Sequence, residues 1–362
     1  LGASYGIFAV ASSDANQDIA GTVSITNGGL IGGPLNTGGI YANADRSVEI
    51  ANQGRIVGSG TSGFGIDAVS SGAATGSGLY LTSNGLAIRN DGLIEVRGFG
   101  IRAQAGGAGN ISAITNTGDV SSGNTALEAR GYSASITSSG TLRIMGGGTN
   151  YGIYGRADYT NNDAESAVVT IDNSGSIELG NVAGQGSAAI SGYASLVRPD
   201  PELDNAGVVT VTNSGRLSSL GAYGSGIIAN ARKSVLIDNR GDIALAGFGA
   251  AVIGQAVEGS VTVSNSGELS GDGVFNLTAS NGSANLANEG ALAAKSSAVS
   301  VNLSESATVS NSGDVVQSGA GQVFSISAKE RATLVNSGNI TSTASSGTAI
   351  DISAASLGGT SG

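Results

Sequence analysis

The sequence predicts an all-β fold, a single right-handed parallel β-helix (β-solenoid) of about twelve coils with an internal asparagine ladder. Three observations predict it. A short motif recurs twelve times with variable spacers. Within each copy, apolar and polar residues alternate with the period of a strand. The composition is rich in Gly (61 of 362 residues) and poor in Pro (3), with 40% hydrophobic and only 12% charged residues. Such a chain can bury a large core, and it has neither the three-residue period of collagen nor the proline content of a disordered chain.

The stretch Val209-Thr-Val-Thr-Asn-Ser-Gly-Arg-Leu217 shows the motif. Val209, Val211, Asn213, Gly215 and Leu217 share one parity, so they lie on one face, while Thr210, Thr212, Ser214 and Arg216 lie on the other. Asparagine occupies the reference position at Asn27, Asn52, Asn90, Asn116, Asn173, Asn213, Asn239, Asn265, Asn288, Asn311 and Asn336, and Ser138 takes it once. Glycine follows two residues later in all twelve copies, from Gly29 to Gly338. Ile, Val or Leu stands two residues before and four residues after every reference position. A third short strand follows in many units, as in Gly65-Ile-Asp-Ala-Val69 and Gly226-Ile-Ile-Ala229. Each unit therefore reads strand, corner, strand, loop, strand, loop. A unit this short buries its apolar face only by stacking on the next.

Handedness follows from the strong preference of parallel crossovers. Twelve coils at strand spacing make a rod roughly 55–60 Å long. Residues 1–362 form one domain, with the repeat running over 23–352. Asparagines stacked at strand spacing can pair with one another, which satisfies an amide that is costly to bury alone. Ser138 interrupts the series and predicts a weaker coil there. The glycine two residues on predicts a corner with positive φ or close backbone approach.

Three spacers are long, at 70–85, 155–167 and 192–207, each after a third strand. Insertions in solenoids gather on one face and often carry function. The second and third sit on consecutive coils and should touch. They supply the candidate interaction residues Tyr154, Arg156, Asp158, Tyr159, Tyr193, Arg198, Asp200, Glu202 and Asp204. Solvated surface loops and a contact surface are the two readings of this cluster.

Composition narrows the chemistry. Cys, His and Trp are absent, which removes thiolate nucleophiles, imidazole bases and disulfides. The net charge of −11, with only Lys233, Lys295 and Lys329 as lysines, gives no basic stripe for nucleic acid. No apolar run approaches the roughly 18 residues of a membrane helix. Acids do not align as a catalytic groove would need. Asp119 follows its glycine, Thr141, Ser176 and Arg216 come next there, and Asp242 and Glu268 are adjacent before Ala291. Asp200, Glu202 and Asp204 form an acidic loop whose calcium-binding reading is weaker than simple solvation. The sequence implies no cofactor, no metal and no catalytic residue.

The repeated Ile-x-Asn-x-Gly-x-Ile units, over 23–352, resemble the passenger domains of bacterial autotransporters and related surface β-helix proteins. That resemblance implies an extracellular or cell-surface location and a role as adhesin, matrix component or enzyme carrier. No run of amphipathic barrel strands follows the repeats, so the resemblance implies that a barrel has been cleaved or omitted. The chain opens without Met, which reads as a mature or excised piece. Both ends fall in frame, which predicts caps lost with the missing sequence or end-to-end stacking into a filament. The first expectation is thus a non-enzymatic extracellular rod for adhesion, coat or filament. Its partners would be further copies of itself or a neighbouring or host cell surface. The alternative is a carbohydrate-active or glycan-binding β-helix using acids near the inserted loops.

Overall fold

A computed structural model describes residues 5–12, 21–33, 38–60, 63–71, 85–106, 110–159, 167–180, 186–196, 207–343 and 349–354. Thirty-five strands and no helix are assigned among them. Every strand pairing is parallel, which fits a chain whose successive strands are buried on one face and joined by coil-to-coil crossovers. The chain is a parallel β-helix, as the repeat predicts.

Each coil contributes three strands. The first ends on the reference asparagine, as in Val208–Asn213. The short second strand follows the corner, as in Leu217–Ser219. The third is represented by Ser225–Ala231. The twelve second strands stack into a sheet of their own, from Leu30–Gly33 to Ile340–Ser342. First and third strands merge into one sheet because Val299–Asn311 and Phe324–Asn336 run through both positions. Register holds from coil to coil, with Asn173 beside Asn213 and Asn213 beside Asn239.

Inward residues form one continuous core along the axis. Ile56, Ile94, Leu142, Leu217, Leu292 and Val315 of the second strands are each at most 1% exposed. Burying one such side chain stabilises by about 1.5–3 kcal/mol, and no coil could achieve it without its neighbours.

The asparagine column is a side-chain ladder. Each Nδ2 donates to the Oδ1 of the next coil, at 2.7 Å for Asn27 to Asn52 and 2.8 Å for Asn173 to Asn213. The same Nδ2 also donates to the carbonyl of the glycine two residues on, at 3.0 Å in Asn213. Nine such links join the eleven asparagines. The series breaks only at Ser138, as expected. Ser138 Oγ and Asn173 Oδ1 are both buried without a partner there.

The corner glycines differ from one half of the expectation. None has positive φ; those that do are Gly33, Gly85, Gly148, Gly186, Gly207 and Gly321. Close approach is the reason for the column. A Cβ on Gly241 would overlap the carbonyl oxygen of Gly215, and one on Gly215 would overlap that of Gly175. Positive φ is needed instead at Gly85 and Gly207, where the chain re-enters a first strand after a long spacer.

The long spacers do fall between third and first strands, but two begin later than 155 and 192. Tyr151–Tyr159 and Ala188–Leu196 continue as paired strands, with Gly155 beside Gly192 and Arg156 beside Tyr193. The alternation explains it. Ile153 and Ala157 are fully buried on one parity, while Tyr154 and Arg156 are partly exposed on the other.

Candidate functional site

Inward positions repeat the same few residues, so chemistry specific to a place must lie on outward columns. Two outward regions stand out.

The first lies on the third strands and contains the residues singled out from the sequence. Register aligns Asp67, Arg102, Glu128, Tyr154 and Ser191 in one column. It aligns Gln104, Arg130, Arg156, Tyr193 and Asn230 in the next. Opposite charges on adjacent parallel strands attract, and like charges repel. Arg102 forms a two-pronged pair with Asp67, Nε to Oδ1 at 2.9 Å and Nη2 to Oδ2 at 2.6 Å. The hydrogen bond to Asp67 is the main reason the Arg102 guanidinium is held above its ordinary pKa. Arg130 Nε pairs with Glu128, whose side chain is 2% exposed. Aromatic rings complete the strip. The Arg130 guanidinium lies 5.5 Å from the Tyr154 centroid, and Arg156 lies 5.5 Å from that of Tyr193. Tyr151 and Tyr154 stack at 4.8 Å with 17° between planes. Burial pushes the Tyr151 phenol pKa up.

Tyr154, Arg156 and Tyr193 are therefore brought together, as the consecutive insertions suggest, but on strands rather than loops. Asp158 and Tyr159 close the strand Tyr151–Tyr159. Arg198, Asp200, Glu202 and Asp204, including the acidic loop weighed for calcium, lie outside the described residues. The strip's guanidiniums are matched to carboxylates and rings of the same strip, so its evident work is to fasten coils together.

The second region was only half visible in the sequence. The residues after five successive corner glycines are Arg216, Asp242, Glu268, Ala291 and Asp314. They border a groove of about 370 Å³ on the outer face of the second-strand sheet. Its floor is made of small outward residues, Ala244, Ser270 and Ala293, and Val316 also lines it. The acids have a structural task as well. Asp242 Oδ1 accepts from the Glu268 amide at 3.1 Å, and Asp314 Oδ1 from the Asn339 amide at 3.1 Å. Asp119 does the same for Thr141 at 3.2 Å. An aspartate here caps the next coil, which explains its recurrence without catalysis. Glu268 and Arg216 are exposed. Asp242 and Glu268 were recognisable as neighbours in the sequence, but the groove also needs the floor and the five-coil register.

Comparisons with protein-family models, with curated proteins and with solved structures returned no match. What fold and geometry define is the class: an all-parallel β-helix with a stacked asparagine ladder.

Proposed function

We propose that this chain is a non-enzymatic structural rod that works outside the cell, in surface adhesion, in a matrix or coat, or as the subunit of a self-assembled filament. The observation that supports the reading is the continuity of the core, reinforced by a ladder interrupted once, at Ser138. Buried Ile, Leu and Val run from coil to coil, and nine amide links tie together the coils on either side of that break. An array coupled in this way is stiff along its axis and displays different side chains at each level. The resemblance of the repeats to autotransporter passengers points the same way. Partners would be further copies of the chain or a neighbouring cell surface.

Two measurements test the proposal together. Negative-stain imaging of the purified chain should show rods, and fibres if the filament version holds. Beads coated with the chain should adhere to cells or to one another. Single rods that stay dispersed at high concentration, on beads that adhere to nothing, would refute it. The enzymatic alternative rests on Asp200, Glu202 and Asp204. A hydrolysis screen on acidic and neutral glycans decides it, since Asp200→Asn with Asp204→Asn should abolish any activity found.

A further inference from the structure

We infer that the groove on the second-strand sheet binds a neutral linear polysaccharide. Three separate features meet there. The groove crosses five coils, from Arg216 to Asp314, so it extends roughly 19 Å along the rod axis at strand spacing. Its floor of Ala244, Ser270 and Ala293 lets a chain approach the backbone closely. At the far margin of the same strands, the following turns present apolar side chains to solvent. Leu220 is 65% exposed, Phe248 is 70% exposed, and the Tyr223 and Phe248 rings lie 6.2 Å apart.

Carboxylate and guanidinium groups border the groove, and the exposed rings of Tyr223 and Phe248 lie past its floor, in the turns after two of the five strands. The two kinds of surface suit the hydroxyl edge and the apolar face of a pyranose. Planar carboxylates and guanidinium forks can each engage two neighbouring hydroxyls. An aromatic face packs against the apolar C–H face of the ring, and a few fixed polar groups beside an apolar surface are the common anatomy of a binding site. Asp242 and Asp314 are held in place by the amides they cap, so part of the border is pre-organised.

Charge decides between sugar classes. Asp242, Glu268 and Asp314 share the near border with Arg216, in one column along the rod. At the far margin Asp272 follows the strand Leu269–Gly271. Lys295 donates from Nζ to the Ala246 carbonyl there at 2.9 Å. Four acids against two bases repel a uronate or sulfated polymer. A neutral chain meets no such penalty. The inference does not rest on the structural reading, because a rod can serve in a coat with or without sugar affinity.

Affinity electrophoresis of the whole chain tests it, with gels containing hydroxyethylcellulose, mixed-linkage β-glucan or polygalacturonate. Either neutral polymer should retard the protein, and polygalacturonate should not. The double variant Phe248→Ala, Glu268→Ala should weaken that binding at least about tenfold, which corresponds to about 1.4 kcal/mol. Both side chains are exposed, so the variant should melt like the parent. Tyr154→Ala, on the other face, should bind as the parent does. Absence of retardation by both neutral polymers, stronger retardation by polygalacturonate, or unchanged binding by the double variant would overturn the inference.

Discussion

Ser138→Asn should stabilise the rod by restoring a missing rung. Ser138 lies in register between Asn116 and Asn173. Asn116 Nδ2 retains its bond to the Gly118 carbonyl at 2.8 Å but has no amide of a following coil to reach. Ser138 Oγ and Asn173 Oδ1 are buried and unsatisfied. A new amide at 138 would accept from Asn116, donate to Asn173 and remove the orphaned hydroxyl. Each hydrogen bond contributes about 1 kcal/mol net, and relieving a buried unsatisfied group adds about 1 kcal/mol or more. Ordering the longer side chain costs up to about 1 kcal/mol. The balance is about 2 kcal/mol. With an unfolding entropy of about 2.1 cal/mol/K per residue, that raises the melting temperature by about 2–3 °C. Repeat arrays open locally, so native-state hydrogen exchange at Ile136 and Ile171 is the sharper assay, with protection there increasing more than at Val263. A lower melting temperature, or protection that is unchanged around the repaired coil, would refute the ladder as a source of stability.

The corner glycines separate two mechanisms. Gly241→Ala should cost about 3 kcal/mol because its Cβ would overlap the Gly215 carbonyl, whereas Gly29→Ala, with only Asn27 Oδ1 as far as 4.0 Å away, should melt like the parent. Equal damage at both sites would point to backbone conformation instead. Glu128→Gln should cost about 1–2 kcal/mol by removing the buried anion paired with Arg130, discounted because Arg130 is 44% exposed, and a denaturant midpoint measures it. Leu303 has φ of 58° and is 65% exposed at the register shift between Val301 and Ser304. Leu303→Asn should therefore raise stability by about 0.5–1 kcal/mol in the same assay, since asparagine tolerates the left-handed region better.

The repeat was legible because the same contact is made in every coil. An inward asparagine that pairs with its own kind must recur, and so must a glycine that rests against the preceding coil's backbone. What the glycine was for could not be read so easily. Positive φ is a local property, but the overlap that excludes a Cβ at Gly215 comes from Gly175, a whole coil away. Third strands are harder to read because the residue that opens them varies. Leu127–Gly131 follows Ala126 rather than a glycine, and it is the register that marks it, with Leu127 beside Ile101 and Ile153. The extension to Tyr159 and Leu196 was missed because Gly155 and Gly192 look like loop residues. They are small because each faces a valine of the adjoining first strand, Val169 and Val209.

The outward columns show why position along the rod matters more than residue type. Asp67, Arg102, Glu128 and Arg130 are four charges on three adjacent coils, a composition that suggests a ligand site. Their geometry closes them on one another, since the two guanidiniums are bound by the two carboxylates and Arg130 also lies over Tyr154. A ligand there would have to break bonds already made, and a group buried to the extent of Glu128 or Asp67 would resist that. Asp242 and Glu268 look weaker in the sequence, being two acids interrupted by Ala291. That alanine widens the groove, and Ala244, Ser270 and Ala293 continue its floor. Capping by Asp242 uses one carboxylate oxygen on the next coil and fixes the other in place. On this rod the open groove lies where small residues interrupt a polar column, whereas the densest charges are closed on one another.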